Sequence, residues 1–298
     1  LLGLAVAHDR LNQYDQALDA AGRALAVFRR TLGDRHPDTI DALRRVGVIH
    51  GLGRAFADAV PIYHEVRALR SAVLGPDHPD TIEAAGALSF LLARAGRPGD
   101  SREAGRDVIR RCRQAAARES ADPVTLDRCA TFFLDASSPD LRDADEARRL
   151  ATRATTSEGR RHYLRLRTLA RAQRALGDAD SSIATLQEAL ALPQAIQSWT
   201  TEDELVALMQ ASGASAELDA WLTARLGRMR ELRGPDDRLL ARTLRHLARL
   251  AFRDGRLGEA EDRYGEVLAQ ISKTAPATDW ELGRAKSVRI DKDNTTII

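Results

Sequence analysis

An all-α helical-repeat fold is predicted by three features of this chain. A decapeptide occurs almost twice, as "LGDRHPDTID" at residues 32–41 and "LGPDHPDTIE" at 74–83. Each copy is followed by an apolar pattern of period 3.6, a break containing glycine, and a second such pattern. Aromatic residues are only 4% of the chain while Ala, Leu and Arg dominate, which suits thin helices packed through small residues better than a sheet built on Val, Ile and Tyr.

The elements follow in order. The opening "LLGLAVA" reaches only to His8, Asp9 and Arg10, too short for a membrane span or a signal peptide. With no initial Met, the chain reads as a piece of a longer protein. The decapeptide makes sense as a joint between helices. Gly33 and Gly75 sit where a helix stops in a left-handed residue, and Pro37 and Pro79 where the next helix starts without wasting an N–H. Asp38 and Asp80 then fall in the first turn, where a carboxylate meets the positive helix end, and His36 and His78 take a capping role rather than a metal. "DPVTL" at 122–126 is a degraded third joint. Helical pairs are expected to start near residues 1, 37, 79, 122, 160, 201 and 238, with breaks near Gly53, Gly96, Gly177 and Gly255. In the seventh pair Leu247, Ala248 and Ala251 should face Ala260, Tyr264 and Val267. Residues 1–272 form the repeat array. Residues 273–298 are expected to leave the pairing: they hold every lysine of the chain, Lys273, Lys286 and Lys292, and "SVRIDKDNTTII" lacks helical periodicity.

Composition excludes more than it assigns. A net charge of +2 from 45 basic and 43 acidic residues gives no wholesale attraction to nucleic acid or membrane. Cys112 and Cys129 are too few for a disulfide framework and lack zinc spacing, so they read as packing residues of a reducing cytosol. Residues 1–272 hold no lysine for a P-loop or a Schiff base, "HEVRAL" at His64 is not a zinc-protease motif, and "DLRDADEA" at Asp140 lacks the glycine and closing Glu of a calcium loop. No enzyme, metal or cofactor is expected.

The joints and paired helices resemble the tetratricopeptide repeat, and the HPDT joint with its long second helix resembles the variety in kinesin light chains. The match covers most of residues 1–272. It implies a right-handed superhelical solenoid of about seven pairs, whose first helices line a concave face and bind a protein or peptide. On that frame Arg167, Arg171 and Arg174 of the fifth pair, and Arg242, Arg245, Arg249 and Arg253 of the seventh, lie on the inner face. Their three- and four-residue spacings independently place each set on one stripe of its helix. Toward the N-terminus the equivalent places hold Arg44, Arg45, Val48 and Leu52, then Gly86, Phe90 and Arg94, a more apolar groove. A ligand with carboxylates at one end and apolar side chains at the other, or a C-terminal carboxylate, would suit them. Kinesin light chains hold their peptide with an Asn where this chain has Arg45, Ala87, Thr168 and His246, so cargo recognition of that kind is not expected. Arg- and Ala-rich composition resembles high-GC actinobacteria, where such repeats follow a nucleotide-switch ATPase as its sensor. That resemblance implies a cytoplasmic module of a larger regulatory protein. The alternative is an RNA-binding helical repeat, for which Phe252 is the one aromatic amid the seventh-pair stripe.

Overall fold

The computed structural model describes residues 3, 13–157, 159, 161–195, 198–234 and 240–274. Among these there are α-helices and two 3-10 turns, and no strand. The α-helices are α1 (Tyr14–Leu32), α2 (Pro37–Leu52), α3 (Phe56–Leu74), α4 (Pro79–Arg94), α5 (Pro98–Ala116), α6 (Pro123–Asp135) and α7 (Ala144–Thr155). They continue with α8 (His162–Ala175), α9 (Ala179–Ala191), α10 (Trp199–Ala211), α11 (Ser215–Arg233), α12 (Leu240–Arg253) and α13 (Leu257–Thr274). The all-α repeat reading holds: α2, α4, α6, α8, α10 and α12 are the first helices of the second to seventh pairs. The first helix of the first pair, and the tail beyond Thr274 with Lys286 and Lys292, lie outside the described residues.

The joints are built as the sequence predicts. His36 and His78 are N-caps whose Nδ1 atoms accept from the backbone N–H of Asp38 and Asp80, each at 3.2 Å. The third joint keeps the proline and replaces the histidine with Asp122, whose Oδ2 accepts from Thr125 N at 2.9 Å. Gly33 and Gly75, at φ 83° and 95°, close the 19-residue helices that precede the first two joints.

Within pairs, one hydrogen-bonding pattern makes the reversal. The N–H two residues past the helix cap returns to a carbonyl five residues back: Arg97 to Leu92, Asp178 to Gln173, Ala214 to Met209 and Arg256 to Ala251, at 2.8–3.0 Å. The residue between is left-handed Gly96, Gly177, Gly213 or Gly255. The second pair departs from the expected break at Gly53. Gly53 has φ −71°, and the left-handed place, closed by Ala55 N to His50 O at 2.9 Å, is held by Arg54 at φ 61°. The fourth pair has no such turn; a loop with a 3-10 turn at Pro139–Leu141 joins α6 to α7, held by Asp143 N to Phe133 O at 3.1 Å.

Two compact units comprise residues 1–178 and 179–298, so α8 belongs to the first and α9 to the second. In the first unit Ala, Leu, Val and Phe side chains of α4 to α7 form one buried cluster around Val108, Leu126, Phe133 and Leu150. Close approach of α4 and α5 depends on small residues. Ser89 and Ser101 exchange hydroxyl-to-carbonyl bonds of 2.8 Å, and a Cβ on Gly105 of α5 would stand 3.3 Å from Ser89 Oγ of α4. In the second unit Leu247, Ala248 and Ala251 of α12 are buried with Ala260 and Val267 of α13, as the pattern predicts, while Tyr264 is half-buried.

The cysteines require a correction. Cys112 on α5 and Cys129 on α6 are buried as expected, but they are bonded to each other, with their Cα atoms 5.5 Å apart. A count of two gives no hint of pairing. The reversal between α5 and α6 turns the two positions toward each other across the third and fourth pairs.

Candidate functional site

The predicted site residues lie on first helices, and the structure sorts them by partner. In the first unit, Arg44 reaches its helix neighbour Asp41 at 3.5 Å and Arg45 is half-buried on the same helix. Phe90 on α4 is 49% exposed, an unusual place for an aromatic, and Arg94 lies over the Phe56 ring at 5.0 Å. On α8, Arg167 is half-buried, Arg171 pairs with Asp135 of α6 at 2.6 Å, and Arg174 is exposed.

In the second unit Asp203 of α10 is the centre. It accepts from Arg242 Nε at 3.1 Å and stands 2.9 Å from His246 Nε2, both on α12. His246 is only 13% exposed, and burial holds its pKa below the usual imidazole value against the opposing pull of Glu202 and Asp203. Arg253 donates to Ser215 Oγ at 2.8 Å. Arg245 is half-buried and Arg249 exposed.

First helices of successive pairs are therefore tied by ion pairs: Glu83 to Arg128 at 3.1 Å, Asp135 to Arg171, Asp203 to Arg242. The acid sits on the earlier helix and the arginine on the later one. This neutralises part of the arginine stripe, because the carboxylates come from the preceding first helix and not only from second helices. Among the described residues no carboxylate lies within ion-pair distance of Arg174, Arg245 or Arg249. Asp127 of α6 is mostly buried near Thr168, Arg165 and Arg161, and burial pushes its carboxyl pKa up despite those neighbours.

Sequence reasoning missed the buried arginines. Arg70 donates to Asp80 O at 2.8 Å and Asp41 Oδ1 at 3.2 Å. Arg225 of α11 donates to Glu202 Oε2 at 2.7 Å and to Leu190 O at 3.1 Å, while Thr243 donates to Glu202 Oε1 at 2.8 Å, so one buried pair joins α9, α10, α11 and α12. The only signal available was an arginine inside an apolar stretch of a second helix, which snorkelling explains equally well.

A family model described as tetratricopeptide repeat matches residues 48–114, and a second of the same description matches residues 1–38. Over those residues the chain carries tetratricopeptide repeats. The solved structure of BtubC (BKLC) from P. vanneervenii is 16% identical over 89% of this chain and 95% of its own, with a TM-score of 0.50, a likeness of fold. The Rap conjugation gene regulator of plasmid pLS20, in complex with the Phr* peptide, is 10% identical over 91% and 73%, TM-score 0.48. Kinesin-light-chain-type repeats of a Podosopora anserina protein are 15% identical over 91% and 93%, TM-score 0.34. No curated protein matches the chain. No described helix is long and apolar enough to cross a membrane.

Proposed function

We propose that this tetratricopeptide repeat protein is a scaffold that binds protein or peptide segments along its first helices, and that α12 offers the anchor for a carboxylate. The observation that carries this reading is the difference between neighbours on one stripe. Arg242 is committed to Asp203, whereas Arg245 and Arg249, one turn apart, have no described carboxylate within reach. Two guanidinium groups at that spacing repel by a few tenths of a kcal/mol, a cost an incoming carboxylate removes while gaining charge-assisted hydrogen bonds. On the first unit, taken by itself, exposed Phe90 with Leu52 in the repeat frame supplies an apolar site, and Arg44, Arg45, Arg94, Arg167, Arg171 and Arg174 lie on first helices of the same unit.

The wider reading is that of a cytoplasmic sensor module in a larger regulatory protein of actinobacterial type, following an ATPase domain. It is supported by repeat type and composition, and a P-loop in the upstream reading frame tests it.

Binding is tested with fluorescein-labelled peptides ending in Asp or Glu, compared with amidated, neutral versions. The acidic peptides should bind more tightly and lose affinity as salt rises. Arg245→Glu and Arg249→Glu should each weaken binding at least roughly tenfold, with helical circular dichroism unchanged. Affinity indifferent to both substitutions would overturn the assignment to α12.

A further inference from the structure

The Cys112–Cys129 bond lies where one pair of helices meets the next. Cys112 belongs to the second helix of the third pair and Cys129 to the first helix of the fourth, and both side chains are 0% exposed. Around them Ile82, Val108, Leu126, Phe133 and Leu150 complete a core shared by both pairs. The same junction is held at its edges. Leu141 from the fourth pair's loop covers Gly105 of α5, Arg102 of α5 meets Asp140 at 3.3 Å, and Arg153 of α7 donates to the α5 carbonyl of Ala116 at 2.7 Å. These contacts lie at the edge of the junction, whereas the bond sits among fully buried side chains. In an array whose repeats touch only their neighbours, the strength of each interface sets where the stack opens.

We propose that Cys112–Cys129 is a redox latch on the junction of the third and fourth pairs. Oxidised, it closes a loop of 17 residues' separation and removes the opened states of that junction. A small dithiol or monothiol reverses it: a thiolate attacks one sulfur, forming a mixed disulfide and releasing one cysteine thiolate, which takes up a proton. A second thiol then displaces the bound one, leaving two cysteine thiols and an oxidised reagent. Because neither sulfur is exposed, attack waits for the junction to open. The latch is therefore slow, and it releases the stack locally because the edge contacts and the caps of each pair persist.

Mass spectrometry after denaturing alkylation without reductant tests the bond, and hydrogen exchange tests its consequence. The unreduced chain should take up no alkyl group. Dithiothreitol should reduce it at a rate that levels off with reagent concentration, lower Tm by roughly 6–12 °C, and speed exchange of α5 and α6 amides at least tenfold while those of α2 and α12 stay unchanged. Cys112→Ala with Cys129→Ala should match the reduced chain and ignore dithiothreitol. Should that variant fail to fold, the native chain with and without dithiothreitol carries the test. Full alkylation without reductant, unchanged α5 and α6 exchange after reduction, or loss of all helical structure on reduction would each overturn the latch.

Discussion

At the residue scale, Arg54 is the one described non-glycine residue with positive φ. It occupies the left-handed place that glycine holds in the other turns of this pattern, where a Cβ meets the following carbonyl. Arg54→Gly should therefore stabilise the chain by up to about 1 kcal/mol, the strain relieved exceeding the added freedom of the unfolded chain. Urea denaturation checks this, and a midpoint that falls would show the strain is already relaxed. His246 gives a pH dependence. Its folded pKa is lowered by burial, so the unfolded chain binds the proton more readily, and stability rises with pH through the window below the free imidazole value of about 6.5. The stability present above that value is lost as pH falls toward the folded pKa. His246→Gln should flatten this part of the stability–pH curve, read from midpoints between roughly pH 7.5 and 5.5. Glu202, Asp203 and Arg242 are the charged groups that face the ring, and His64, its pKa also lowered by burial, keeps its own part of the slope in the variant.

At the scale of elements, the helices divide into those tied by exposed charges and those tied by buried ones. The Arg225–Glu202 pair has both side chains 4% exposed and hydrogen bonds to four helices. Removing one partner strands the other charge out of water, so Arg225→Ala should cost about 3–5 kcal/mol. Arg174→Ala, on an exposed face, should stay within roughly 0.5 kcal/mol. The same denaturation series measures both, and equal effects would mean the buried pair is solvated. Packing sets the other constraint. Ala260 is fully buried where α12 and α13 meet, so Ala260→Leu should overpack that contact by about 1–3 kcal/mol in a thermal melt.

At the scale of the whole molecule, the chain is a set of helical pairs in two compact units, and stability in such arrays is a sum over neighbours. Trp199, Trp221 and Trp280 all fall within residues 179–298, leaving the first unit without tryptophan. Tryptophan fluorescence therefore follows the second unit, while far-ultraviolet circular dichroism follows helix in both. The two unfolding curves should not coincide, because cooperativity weakens along repeat arrays. Superimposable curves would show one transition for the whole chain.

The sequence by itself determined the all-α class, the helix starts at Pro37, Pro79 and Pro123, the histidine caps, and the left-handed ends at Gly33, Gly75, Gly96, Gly177 and Gly255. These rest on hydrogen bonds between residues at most five apart, so the local residue types suffice to specify them. The tertiary structure alone decided which arginines are spoken for. Arg171 meets Asp135 and Arg242 meets Asp203 across separations of 36 and 39 residues, and Arg225 meets Glu202 across 23. A periodic pattern says that a side chain lies on a stripe, but not what the neighbouring helix presents to it. The disulfide has the same origin, since Cys112 and Cys129 come together only when α5 and α6 fold back along one another. Left-handed Arg54 has it in reverse: the sequence offered Gly53 one place earlier, and the hydrogen bond from Ala55 to His50 put the strained residue at Arg54 instead.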